Sequence, residues 1–211
     1  MSRIPVTIIT SLTIILLSAP AVFAGDSPSD IKQRMGAGNP VAGKEKSAMC
    51  QGCHGEDGNS ASPDFPKLSG QYAAYIIKQI KDFQSGARKD PVMSDMAATV
   101  TENQDLLDIA AYFASQKQMK GTKPEDNEWA KTRFTDGNGC ATCHGENGKG
   151  LAPNNPTAPV IGGQHKKYLA KQLKDFKSHT RTNEPSGMME SFASILSGAE
   201  IYKIAGYVAG L

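Results

Sequence analysis

The second half of this chain repeats the first, and that duplication limits the architectures open to it more than any single motif does. "MCQGCHGEDG" (residues 49–58) returns as "GCATCHGENG" (139–148). "PKLSGQYAAYIIKQIKDFQS" (66–85) returns as "PVIGGQHKKYLAKQLKDFKS" (159–178), and "LLDIAAYFA" (106–114) as "IYKIAGYVA" (201–209). Order and separation are kept, so the chain reads as one small domain used twice. The join falls at "QKQMKGTKPEDNE", residues 116–128, which is polar and carries Gly121 and Pro124 as linkers do.

Each copy reads as helical. Tyr75, Ile76, Ile80 and Phe83 recur at helical spacing, and Tyr168, Leu169, Leu173 and Phe176 repeat the pattern. The closing segments carry Leu106, Ile109, Ala110 and Phe113 in one copy and Ile201, Ile204, Ala205 and Val208 in the other. Asn103 and Ser197 stand where N-caps belong. Short stretches of helix formers precede each C-x-x-C-H string. No sustained alternation suggests a sheet. The expectation is an all-α chain with three main helices per copy and Gly/Pro-rich loops.

The first residues, "MSRIPVTIITSLTIILLSAPAVFAGD", place Arg3 ahead of an apolar run from Val6 to Leu17 and small residues at Val22 and Ala24. This is the order of an export signal cleaved after Ala24. The run is shorter than the roughly 20 residues of a membrane span. Residues 1–24 are therefore read as a signal peptide, 25–120 as the N-terminal domain and 121–211 as the C-terminal one. Removing the leader takes away one of 23 basic residues, leaving 22 against 21 acidic ones. So even a balance argues against a nucleic-acid partner. Aromatics make up only 7% of the chain, so two domains of this size would have thin cores and would gain from a bound group.

All four cysteines fall in the two C-x-x-C-H strings. A redox dithiol would sit in a βαβ unit, which the chain does not show. A four-ligand zinc site would have to join pairs lying in separate copies, and would not need a His after each pair. Covalent haem attachment is the standard use of the string. Cysteines three apart share one face of a helical turn, so Cys50 with Cys53, and Cys140 with Cys143, can reach one porphyrin edge. His54 and His144 are then turned toward the two irons. The expected cofactor is two covalently bound haem c groups, and an exported chain suits their attachment.

The second axial ligand has to exist in both copies. His165 is matched by Tyr72, and the other remaining histidine, His179, also lies in the second half, so paired histidines fail for the first. Both are read as solvent-facing residues of a basic helix. Methionine raises the reduction potential and fills the position that O₂ or peroxide would need. Met93 and Met96 precede the closing helix of the first copy, Met188 and Met189 that of the second. Counting back seven from Val100 and from Leu196 selects Met93 and Met189. Met96 and Met188 remain the alternatives, otherwise gap-fillers against the porphyrin. Met35, Met49 and Met119 fall outside the repeat and read as ordinary packing or surface residues. The carbonyls of Pro66 and Pro159 are candidate acceptors for the second ring nitrogen of each ligand histidine.

The strings "CHGEDGNSASPDFPKLSGQ", "KQIKDF", "QDLLDIAAYF", "GGQHKKYLAKQLKDF" and "RTN", in this order, resemble the dihaem cytochromes c4 across essentially the whole mature sequence. The resemblance implies two tandem class I cytochrome c folds with haem propionate edges facing across their interface. It implies His/Met iron in both, with Met93 and Met189 at the family's ligand positions. It also implies a periplasmic, non-enzymatic electron carrier delivering to a terminal oxidase, with a quinol-oxidising complex as a candidate donor. A monomer is expected, with peripheral membrane association left open. Two rivals remain at this stage: a fixed haem subunit of a larger oxidoreductase, and a dihaem peroxidase, against which the matched Met segments speak.

Overall fold

The helical periods of the sequence become helices of the expected type, and several shorter ones join them. In the computed structural model, residues 28–151 and 158–211 are described; the export signal expected over residues 1–24 lies outside them. The first half holds α1 (Pro28–Met35), α2 (Pro40–Lys46), α3 (Ala48–His54), α4 (Ala73–Ser85), α5 (Pro91–Ala98) and α6 (Asn103–Ser115). The second holds α7 (Glu128–Thr135), α8 (Ala141–His144), α9 (Lys166–Lys177), α10 (Met188–Ser194) and α11 (Gly198–Ala209). No strand occurs among the described residues.

The four long helices are the two repeated pairs, α4 with α6 and α9 with α11. The apolar stripe of α4 (Ile76, Ile80, Phe83) closes on that of α6 (Leu106, Ile109, Ala110, Phe113), and α2 lies against the other side of α6. In the second half Leu169 and Ala170 of α9 meet Ile201, Ile204, Ala205 and Val208 of α11, with Phe134 of α7 beneath. Burying such side chains contributes about 1.5–3 kcal/mol each. These two clusters are the cores of the two halves.

Helix starts differ in detail from expectation. Ser197 caps α11 with a full capping box, its hydroxyl accepting from Glu200 N–H while the Glu200 carboxylate accepts from Ser197 N–H. Asn103 is instead the first helical residue of α6, and Glu102 holds the cap position without a side-chain bond. The methionine segments form short helices of their own: α5 begins at Pro91, where proline's fixed φ suits a first turn, and α10 begins at Met188.

The linker is seated rather than free. Met119 N–H donates to Ser69 O at 3.1 Å, and Gly121 N–H to Leu211 O at 2.8 Å. Met119, expected as an ordinary packing or surface residue, is 1% exposed and forms a third apolar cluster with Tyr72 and Val160 where the halves meet. Gly70 and Gly163, matched positions of the repeat, have φ of +64° and +85° and face this strand of chain; a Cβ on Gly70 would lie 2.3 Å from Gln118 Cα.

Candidate haem sites and the interface between them

The two C-x-x-C-H strings fold alike. Cys50, Cys53 and His54 lie on α3, and Cys140 stands at the N-cap of α8, which carries Cys143 and His144. Each helix ends on a glycine with positive φ, Gly55 or Gly145, after which the chain loops round to a proline. Cys50 packs against the first core and Cys140 against the second, while Cys53 and Cys143 are exposed. Burial pushes the Cys50 and Cys140 thiols up from the ordinary range. Among the described residues no three His, Cys, Asp or Glu side chains converge as a shared metal site would require.

Both histidines are fixed by the same bond. His54 Nδ1 lies 2.8 Å from Pro66 O and His144 Nδ1 lies 2.9 Å from Pro159 O. A carbonyl oxygen only accepts, so Nδ1 carries the proton and Nε2 is left with its lone pair. Burial lowers the pKa of both rings, the proline carbonyl opposing it, which keeps them neutral. Neutral, singly oriented imidazoles are the form a metal needs.

One continuous cavity of about 830 Å³ lies beside both histidines. Its wall is mainly apolar side chains of both cores, with all four cysteines and Met93, Met96, Met188 and Met189 on it. Lining therefore does not separate the methionines. Met93 precedes the buried Ala97 of α5 by four residues, and Met189 precedes the buried Ala193 of α10 by four. Met93, Met96 and Met189 are half-buried, whereas Met188 is 46% exposed. An apolar slot with thiols at one edge and a fixed imidazole fits a haem in each half.

Several functional-looking residues escape sequence reasoning. Arg88 donates to Gln79 Oε1 (2.7 Å), Gln172 Oε1 (2.8 Å) and Tyr168 OH (3.0 Å). Its repeat partner Arg181 donates to Gln172 Oε1 (2.7 Å), Gln79 Oε1 (3.2 Å) and Tyr75 OH (3.2 Å). Each guanidinium stacks on a phenylalanine of its own half, Phe83 at 4.7 Å and Phe176 at 4.4 Å. The available signal was identity between the copies at polar positions, Gln79 with Gln172 and Arg88 with Arg181. His165, expected in solvent, instead crosses the interface: its Nε2 lies 3.0 Å from Ser60 O and 2.9 Å from Ser60 Oγ. His179 is exposed but lies beyond the end of α9, with φ of 57°.

The family model for cytochrome c matches residues 41–117 and again 130–211. Cytochrome c4 of Pseudomonas aeruginosa is 43% identical over 185 residues, spanning 83% of this chain and 90% of that protein. The thiosulfate dehydrogenase electron acceptor of Stutzerimonas stutzeri is 31% identical, spanning 83% and 82%. The crystal structure of reduced recombinant cytochrome c4 from Pseudomonas stutzeri superposes with a TM-score of 0.77 at 38% identity, covering 83% of this chain and all of that one. Two all-helical cytochrome c domains in tandem, each built around a C-x-x-C-H haem c string, place the chain in the cytochrome c family, among the dihaem cytochromes c4.

Proposed function

We propose that this chain is a periplasmic electron carrier of two domains, residues 25–120 and 121–211, exported by its first 24 residues. In this reading Cys50 and Cys53 hold one haem c and Cys140 and Cys143 the other. His54 with Met93, and His144 with Met189, would hold the two irons. The observation that carries the reading is the matched register of the two sockets: the same His–proline carbonyl bond, and a methionine four residues before a buried alanine in each. A haem bound there supplies reversible one-electron Fe(II)/Fe(III) chemistry.

The chain's own residues then do three things. The Pro66 and Pro159 carbonyls hold each imidazole in one tautomer and orientation. A methionine in each half would occupy the iron's remaining site, which disfavours peroxidase chemistry. The mainly apolar walls would limit the access of water to a bound haem. No residue needs to move a proton during turnover, so a carrier is favoured over an enzyme. Respiratory donors and a terminal oxidase as acceptor fit such a carrier. A second reading, as acceptor for an inorganic-sulfur dehydrogenase, is favoured by the relative named for accepting electrons from thiosulfate dehydrogenase.

Spectroelectrochemistry of Met93→Ala and Met189→Ala tests the assignment. Each should remove half of the far-red absorption that a Met–Fe(III) bond produces and lower one of two potentials. Retention of the full band in both variants overturns it. Stopped-flow oxidation of the reduced protein by a purified terminal oxidase, against its reduction by thiosulfate dehydrogenase, separates the two readings.

A further inference from the structure

Each of the two short methionine helices is held at both ends by side chains. At the N-terminal end a carboxylate accepts from the methionine-bearing turn. Asp90, the N-cap of α5, accepts from Met93 N–H at 3.1 Å through Oδ1. In the second copy Gly187, with φ of +64°, occupies the cap of α10 and has no side chain to offer, so Glu184 reaches in from three residues earlier. Its Oε2 accepts from Met188 N–H at 2.8 Å and its Oε1 from Ser186 N–H at 3.2 Å. The Ser186 hydroxyl lies 2.9 Å from Oε1 and 2.7 Å from Oε2. Burial would raise this carboxyl, but the Ser186 hydroxyl and the N–H groups of Ser186, Met188 and Met189 outweigh it and hold it below its ordinary range.

At the C-terminal end the hold comes from the long helix against which each methionine helix lies. Gln84 of α4 donates through Nε2 to Ala97 O at 3.0 Å and to Val100 O at 2.8 Å. Lys177 of α9, which the repeat aligns with Gln84, donates through Nζ to Ser194 O and Leu196 O, both at 2.7 Å. A negative group at the first turn and a positive one at the last is the arrangement that a helix dipole favours. The second copy therefore has a full charge at each end of its methionine helix, and the first copy at one end only.

That difference coincides with another. Met93 has no methionine beside it, whereas Met189 follows Met188, and both members of the pair line the cavity. Successive helical residues point about 100° apart, so only one of the two can face a haem, and turning α10 by one residue exchanges them. A helix of seven residues is too short to resist such a turn through its own hydrogen bonds. We infer that Glu184 and Lys177 are positioning residues that clamp α10 in the register presenting Met189, and not Met188, to the second iron, as Asp90 and Gln84 hold Met93. The inference rests on the axial-ligand reading above and adds to it what enforces that choice. Neither clamp belongs to the core, since Lys177 is exposed and Glu184 half-buried. Their loss should alter ligation more than folding.

The test uses the ferric holoprotein, with imidazole as the competing ligand and the far-red Met–Fe(III) absorption as the readout. Glu184→Ala and Lys177→Ala should each tighten imidazole binding at the second haem by about two- to tenfold, the factor that one ordinary hydrogen bond is worth. The first haem should keep its wild-type affinity. Gln84→Ala should do the reverse. Lys177→Gln, which copies the first half, should stay near wild type, because an amide can make both bonds. In a Met189→Leu background the second haem should lack the band while the clamps stand. It should regain part of the band through Met188 once Glu184→Ala and Lys177→Ala are added. Wild-type imidazole affinity in both alanine variants, each carrying two haems, overturns the inference while leaving the axial-ligand reading standing. So does a Met189→Leu protein whose band stays absent after both clamps are removed. Should an alanine variant fail to load its second haem, Glu184→Gln, which keeps one acceptor oxygen, is expected to show the tighter binding, and wild-type affinity there counts against the clamp equally. A full band in Met189→Leu with the clamps intact would overturn the axial-ligand reading and this inference with it.

Discussion

Gln71 and Gln164 perform the same exchange from opposite domains. Gln71 Nε2 donates to Val160 O at 2.8 Å while its Oε1 accepts from Val160 N–H at 3.0 Å. Gln164 does the same with Lys67, at 2.9 Å in both directions. Each Oε1 also accepts the N–H of the next residue, Tyr72 or His165. Both glutamines are buried, so four backbone groups of the turns that follow the haem strings depend on two side chains. Around them Tyr72 OH donates to Lys149 O at 2.7 Å and His165 reaches Ser60, again one contact from each side. A contact set that is its own exchange is what a two-fold interface between duplicates produces.

Truncating either glutamine should therefore cost more than a surface change. Gln71→Ala or Gln164→Ala leaves a buried N–H and C=O without partners, at about 1–3 kcal/mol for each group. We expect one cooperative thermal transition to separate into two in calorimetry, with the haem spectra unchanged. A single transition at the wild-type temperature would count against this interface holding the halves together.

Gly70→Ala should unseat the linker. The residue has φ of +64°, which an L side chain rarely adopts, and its new Cβ would meet Gln118 Cα at 2.3 Å. The combined strain is expected to destabilise by about 1–3 kcal/mol, read in denaturant titrations. Faster proteolysis within residues 116–128 should accompany it. Gly86→Ala also has positive φ but meets nothing within 4 Å, so it should leave the linker protected.

Asp108 supplies an acid-sensitive clamp between α2 and α6. It is 2% exposed; Oδ1 accepts from Asn39 N–H and from the Gln104 amide, each at 2.8 Å, and Oδ2 from Lys46 Nζ at 2.6 Å. These donors, Lys46 first, hold its pKa down to about 2 from an ordinary 3.8. A depressed carboxyl stabilises the fold above its unfolded pKa and loses that contribution as the pH falls through the folded one. Asp108→Asn should thus lose about 2 kcal/mol near neutral pH. The deficit should shrink as pH drops from about 5 toward 2, followed by urea midpoints. A deficit independent of pH would mean that packing, and not charge, is what the residue contributes.

Each haem should be part of its domain's core, since Cys50 packs against the first cluster and Cys140 against the second. Cys50→Ala is expected to halve the haem content by pyridine haemochrome and to reduce helicity in α2 to α6. Cys140→Ala should do the same to α7 to α11. Full helicity by circular dichroism at half the haem content would show that the helices stand without the cofactor.

The duplication, the helical class, the haem strings and the candidate ligands are all legible in the amino-acid order, because each is a local pattern. Helix periodicity needs only neighbours three and four apart, and C-x-x-C-H needs five consecutive residues. Met93 and Met189 could be proposed from counting alone, since the register of one short helix before a buried alanine is also local. What the order does not display is which polar residues meet across the two halves. Gln71, Arg88, Gln164 and Arg181 look like surface residues of amphipathic segments, and His165 like another solvent-facing side chain of a basic helix. Their partners lie 80 to 106 positions away. Only the docking of one copy on the other removes them from water, and once desolvated they must find hydrogen bonds and counter-charge there. The sequence by itself determined two sockets; the tertiary structure decided that they share one cavity and one charged seam.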